Sequence, residues 1–159
     1  MLGRKANRTI NAVVTTRQVT TRNKGEKTMA VNKQVARFGP FKDLIANGVK
    51  IGNALYLSGQ VSVDSEGNVV GTGDLGAQVR QAYANVEEVL AKFDANMDNI
   101  VDEMWLVTDM HDAMRRTEEI FGIRAEAYGG SPDVTNTMVQ VAGLALPDLL
   151  IEIKCVAHL

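Results

Sequence analysis

From Val49 onward the chain alternates between short apolar runs and longer amphipathic stretches, and their order predicts the architecture. Val49-Lys50-Ile51, the turn pair Gly52-Asn53 and Ala54 to Ser58 read as a hairpin. Val61 to Val63, the polar stretch Asp64 to Asn68 and Val69-Val70 add a further short strand beside a turn. Asp74 then opens a helix, because Leu75, Val79, Ala82, Tyr83, Val86, Val89, Leu90 and Phe93 recur at spacings of three and four. Arg80, Glu87, Glu88 and Lys92 fall on its other side. Ile100 to Val107 reads as a buried strand. Asp112 is the expected N-cap of a second helix, with Ala113, Thr117, Ile120, Phe121, Arg124 and Tyr128 along one side and Gly129-Gly130 as its stop. Thr137 to Val141 and Leu150 to Val156 are the last two strands.

Two helices cannot cover both faces of such a sheet. The pattern therefore predicts a two-layer α+β domain in which five or six strands carry both helices on one face. The other face, rich in Leu, Ile, Val and Met, would leave an apolar patch larger than soluble monomers expose, so assembly with further copies is expected.

Composition narrows the classes. With 159 residues, 45% apolar and 23% charged, the chain is long enough for one well-buried core. Its longest apolar runs are too short to cross a bilayer. One cysteine and two separated histidines offer neither a disulfide framework nor metal-ligand spacing, so no metal or other cofactor is expected. The lone Cys155 fits a reducing compartment, and a cytoplasmic location follows as the expectation.

Charge is unevenly spread. Residues 1–28 carry seven basic side chains against the single Glu26, while residues 29–159 carry 10 basic and 18 acidic ones. A body so acidic does not suit a phosphate backbone, and nucleic acid is not the expected partner. The basic leader, 1–28, admits three readings: an organelle transit peptide, a disordered basic arm, or an extension upstream of a natural start at Met29. The last is favoured, because the leader lacks hydrophobic periodicity, and residues 29–159 are taken as the single domain.

Several short motifs occur in a fixed order. Gly39-Pro40-Phe41, Leu57-Ser58-Gly59-Gln60, Gln78-Val79-Arg80-Gln81 followed by Asn85-Val86, Thr108-Asp109-Met110, Val139-Gln140-Val141-Ala142 and Leu150-Ile151-Glu152-Ile153 resemble the conserved blocks of the Rid (YjgF, L-PSP endoribonuclease-like) family. The resemblance spans roughly Phe38 to Ala157. It implies a chorismate-mutase-like α+β subunit, a homotrimer, and ligand clefts between subunits.

At the site implied by that resemblance the chain departs from the family's enamine/imine deaminases. Their carboxylate-clamping arginine, suited to that task by its planar fork of donors, corresponds to Asn136, followed by Thr137 and Met138. The family's G-P-Y tyrosine corresponds to Phe41, and an asparagine of its second helix to Thr117. Glu152 is retained. In the deaminases the glutamate here activates or positions the attacking water, and a carboxylate in an apolar strand is suited to acid/base work. The competing expectation is that Glu152 is a structural carboxylate of a subunit contact. The expected ligand-binding residues are thus Asn136, Met138, Ser58, Phe41 and Thr117, with Glu152 as the catalytic candidate.

Other residues read blandly. Ser58 has no histidine relay and is expected to hydrogen-bond backbone; Cys155 and Trp105 are expected in the core, and His111 in a solvated turn. Three functions compete. The first is a small-metabolite-binding protein, expected to hydrolyse C=N bonds if it is an enzyme but not to act as a standard 2-iminoacid deaminase. The second is a non-catalytic sensing or structural trimer, and the third, the weakest, an endoribonuclease.

Overall fold

An interior strand of the sheet is the one furthest along the described chain. A computed structural model describes residues 13–20 and 30–159. Its strands are β1 (Val13–Thr20), β2 (Ala30–Arg37), β3 (Gly48–Ile51), β4 (Ala54–Leu57), β5 (Gln60–Val61), β6 (Ile100–Val107), β7 (Thr135–Gln140) and β8 (Ile151–His158). They form one eight-stranded sheet in the order β1-β2-β3-β4-β8-β6-β7, with β5 pairing on β8 beyond the end of β4. All pairings are antiparallel except β6 with β7, which is parallel and joined through the helical segment between them.

The described residues also form the α-helices α1 (Leu75–Ala91), α2 (Met110–Arg115) and α3 (Thr117–Tyr128) and a single 3-10 turn at Met97–Asn99. The α1 stripe behaves as its periodicity predicts. Val79, Ala82, Val86, Val89 and Leu90 are fully buried, and Asp74 caps the helix by accepting from the Ala77 N–H. These side chains meet Ile151, Ile153, Cys155 and Ala157, the alternate residues of β8 that face the helices, together with Trp105 and Val107 of β6. Trp105 packs its ring 5.0 Å from Phe121 and 6.4 Å from Tyr83. Gly129, at φ 71°, supplies the left-handed stop after α3.

The opposite sheet face has no layer over it among the described residues. Tyr56 (49% exposed), Met104 (36%) and Val139 (40%) lie there. Ile100 to Val107 is therefore not a strand buried on both faces within one chain: Glu103, Trp105 and Val107 are covered while Met104 is open.

Three further expectations need correction. The sheet has eight strands, not five or six, because β1 and β2 extend it. Eight residues of the leader, expected to lie outside the fold, pair with β2 in continuous register from Val13 opposite Arg37 to Thr20 opposite Ala30; the rest of the leader lies outside the described residues. The second helix is divided in two. Asp109, not Asp112, is the first N-cap, its carboxylate accepting from the Asp112 N–H at 2.9 Å, and the backbone breaks at Arg116 before α3 begins.

Candidate functional site

A cleft of about 440 Å³ opens between the loop after β2, the β4–β5 segment and the side of α1. Its walls are held by hydrogen bonds between side-chain amides and the backbone, and by one between backbone groups. The loop from Phe38 to Asn47 is held at both ends: Asn47 Oδ1 accepts from the Phe38 N–H at 2.9 Å, and the Ser58 N–H donates to the Asn47 carbonyl at 2.9 Å. On the far wall, Asn85 of α1 donates from Nδ2 to the carbonyls of Val61 (2.8 Å) and Val63 (3.0 Å). Gln60 Nε2 donates to the Ser58 carbonyl at 2.8 Å. Apolar side chains of Phe38, Pro40, Phe41, Ile45, Val61 and Val63 line most of the space, and Leu44 stands 79% exposed on the loop.

Glu152 reaches this cleft from β8. It pairs with Leu106 on one side and Val61 on the other, and alternation turns it away from the helices that cover Ile151 and Ile153. Its carboxylate lies against Gly59: a Cβ there would stand 1.7 Å from Glu152 Oε1. A side chain at this position would displace the carboxylate, so what glycine provides here is space and not backbone freedom. Burial pushes the Glu152 carboxyl above its ordinary value, with the charge of Lys154 opposing that shift.

The sign of the resulting pH effect is definite. Where the folded-state value is raised, the unfolded chain ionises first as pH rises, so the stability cost of Glu152 sets in above the ordinary carboxylate value of 4.5 and is complete above the raised one. Glu152→Gln is expected to raise the melting temperature at neutral pH and to leave it unchanged at about pH 3, where both states are protonated. Equal effects at the two pH values would contradict a desolvated Glu152.

Of the residues expected at the site, the cleft brings together Glu152, Phe41 and Ser58. Ser58 Oγ donates to the Ala46 carbonyl at 2.6 Å, so its hydroxyl proton is committed to loop backbone. Asn136, Met138 and Thr117 do not line this cleft. Thr117 begins α3 and donates to the Met114 carbonyl at 2.7 Å. Met138 packs against the core.

Asn136 sits on the helix-facing side of β7, opposite Glu103 in register, whereas Glu152 is on the other face of the sheet. Within one chain the two do not share a cavity.

What Asn136 meets instead is a buried polar cluster that sequence reasoning missed. Glu103 is fully buried and accepts from Asn136 Nδ2 (3.0 Å), Tyr83 Oη (3.0 Å), Tyr128 Oη (2.9 Å) and Arg124 Nε. Arg124, 8% exposed, also donates to the Val134 carbonyl at 3.3 Å. Both tyrosine hydroxyls are held far above their ordinary value, by burial first and then by the Glu103 charge. Arg124 is thus bound to Glu103 and does not supply a cation to the cleft. Nor does Lys154, whose Nζ donates to the Leu57 carbonyl at 3.4 Å. The available sequence signal was the i, i+4 pair Arg124 and Tyr128 on the apolar side of a helix facing an acidic residue in an apolar strand.

Asn85 and Gln60 were also overlooked as individual residues, although both lie in the motifs read above. Gln78 of the same helix is fully buried and ties Gly71, Asp148 and Leu150 together through both ends of its amide.

Comparison with known proteins gives the family. The family model described as endoribonuclease L-PSP matches residues 35–159. A RutC family protein of Pyrococcus horikoshii, PH0854, is 28% identical over 120 residues, covering 76% of this chain and 87% of that protein. Another RutC family protein, SSO3206 of Saccharolobus solfataricus, is 30% identical over the same shares of both chains. Among solved structures, Rv2704 of Mycobacterium tuberculosis, a member of the YjgF/YER057c/UK114 family, superimposes with a TM-score of 0.66 at 25% identity, covering 80% of this chain and 99% of that one. With most of its length matched, the chain belongs to the endoribonuclease L-PSP (Rid/YjgF) family.

Proposed function

We propose that the protein binds a small metabolite in the Glu152 cleft and hydrolyses a C=N bond there, without being a standard 2-iminoacid deaminase. The observation that carries this reading is the half-buried carboxylate of Glu152, lying over Gly59 in an otherwise largely apolar cleft. A carboxylate with a raised proton affinity can take a proton from water as that water attacks an imine carbon, and return it to the departing nitrogen. No histidine lines the cleft among the described residues, and Ser58 is committed to Ala46. Glu152 is therefore the group there best placed for proton transfer. The same absence of histidine, with no lysine or arginine in the lining, weighs against an endoribonuclease.

The reading includes assembly. Asn136, Met138 and Thr117 could join a ligand at this cleft only from a neighbouring copy, and the uncovered face bearing Tyr56, Met104 and Val139 offers the apolar surface for that contact. A homotrimer is the proposed form. Met104→Glu is expected to shift the protein to monomer in light scattering, because each copy would bury a charge; an unchanged mass would remove this face from the interface.

The catalytic reading is tested by ammonia release. Free 2-iminoacids are expected to be hydrolysed at background rates, since Asn136 gives their carboxylate no cation. Carboxylate-free imines are expected to be turned over, with a loss of about 100-fold in Glu152→Gln. Rapid turnover of iminoacids, or activity on the other imines indifferent to Glu152, would overturn it.

A further inference from the structure

Three carboxylates reach the cleft, from Asp64, Glu88 and Glu152, and no lysine, arginine or histidine lines it among the described residues. Two of the three are already engaged. Asp64 Oδ1 accepts from the backbone N–H groups of Glu66 and Asn68, both at 2.9 Å, within its own turn. Glu88 Oε1 lies 3.4 Å from Lys92 Nζ. The Glu152 carboxylate accepts no hydrogen bond from a described residue, and each nearby cation makes its recorded contacts with other groups. Arg37 donates to the Lys42 carbonyl, Lys92 is held by Glu88 and lies over the Phe38 ring, and Lys154 donates to Leu57.

Three neutral donors are committed as well. The amide nitrogen of Asn85 serves two backbone carbonyls, that of Gln60 serves Ser58, and the hydroxyl of Ser58 serves Ala46. What remains at the polar end of the cleft is a carboxylate with no direct ion pair, its charge opposed from a distance by Lys154. The rest of the lining is apolar, with aromatic and branched side chains on both walls.

We propose that this cleft selects ligands carrying a nitrogen cation, an amine or protonated imine, on a compact apolar body, with Glu152 as the counter-charge, and that it discriminates against carboxylates. The proposal rests on reading the cleft as the ligand site. Loss of the arginine removes an attraction; here an anion entering the cleft also meets like charge. A cation with N–H groups meets the opposite arrangement, and its alkyl or aryl part displaces water from Phe38, Phe41, Val61 and Val63.

The experiment is calorimetric titration of the full-length assembled protein at neutral pH with three matched probes: benzylamine, benzyl alcohol and benzoate. Benzylamine is expected to bind at least about tenfold more tightly than benzoate, with benzyl alcohol between them. In Glu152→Gln the preference for amine over acid should fall to within about twofold, while benzyl alcohol binds as before. Benzoate binding as tightly as benzylamine, or a preference that survives Glu152→Gln, would overturn charge selection and leave the cleft as a ligand site. Failure of all three probes to bind the unaltered protein would overturn both readings.

Discussion

Glu103→Ala is expected to destabilise the fold by about 3–5 kcal/mol, more than any single change at the cleft, although Glu103 lies outside it. The cost comes from what is left behind. Four donors converge on this carboxylate, from Asn136, Tyr83, Tyr128 and Arg124, and its removal leaves a guanidinium that is 8% exposed without its anion. Two buried tyrosine hydroxyls lose an acceptor at the same time. Melting temperature should fall by roughly 10 °C or more in a domain of this size. Pairing the change with Arg124→Met is expected to recover much of the loss, because an apolar replacement of the whole ion pair removes the desolvation cost as well as the attraction. A shift of less than about 2 °C in the single variant would mean that the cluster is open to water, contrary to its burial.

Gly59→Ala carries the largest expected effect on the cleft itself. The added Cβ would stand 1.7 Å from Glu152 Oε1 and 2.5 Å from its Cδ, distances at which one partner must move. The strand backbone around Gly59 is paired or pinned on both sides, so the carboxylate should yield, swinging out of its position over the glycine. Binding of amine probes is expected to fall by about tenfold and any Glu152-dependent turnover by about 100-fold, comparable to loss of the carboxylate, while the fold is retained. Combining Gly59→Ala with Glu152→Gln should add little further loss, since both changes remove the same group from the same place. A Gly59→Ala protein with unchanged binding and turnover would show that the position of Glu152 over Gly59 is not needed.

How much of this was legible in the sequence depended on where the chain's local signals agreed with its long-range contacts. The α1 stripe and its Asp74 cap, the Gly52-Asn53 hairpin and the glycine stop at Gly129 are local, and each formed as its residues predict. Strand β2 was missed because Asn32, Lys33, Gln34 and Arg37 interrupt its apolar positions; it exists through pairing on both edges rather than through its own pattern. Strand β1 did carry a signal in Val13-Val14-Thr15-Thr16, β-branched residues set aside with the leader as an extension upstream of Met29. Division of the second helix was hidden because Asp109 and Asp112 both make plausible caps, and only the fold decides which carboxylate meets a free N–H.

The site was half legible. Strand alternation correctly turned Glu152 away from Ile151 and Ile153, and the motif order placed it with Ser58 and Phe41. The role of Asn136 was not readable from the motif. A residue standing where relatives carry a charge was expected at a ligand, and its amide instead serves a buried glutamate 33 positions earlier in the chain. Nothing local to Asn136 announces that partner; it follows from the parallel pairing of β7 with β6, which sets the two side by side.

The placement of β8 inside the sheet bears on synthesis. This strand bridges β4 and β5 on one side to β6 on the other, so the two halves of the sheet have no continuous ladder until residues near the end of the described chain are made. The α1 stripe, exposed for all that time, would lack the Ile151, Ile153 and Cys155 surface it packs against. A ribosome-bound chain halted before Ile151 should therefore be sensitive to protease throughout, and protection should arrive in one step as β8 emerges.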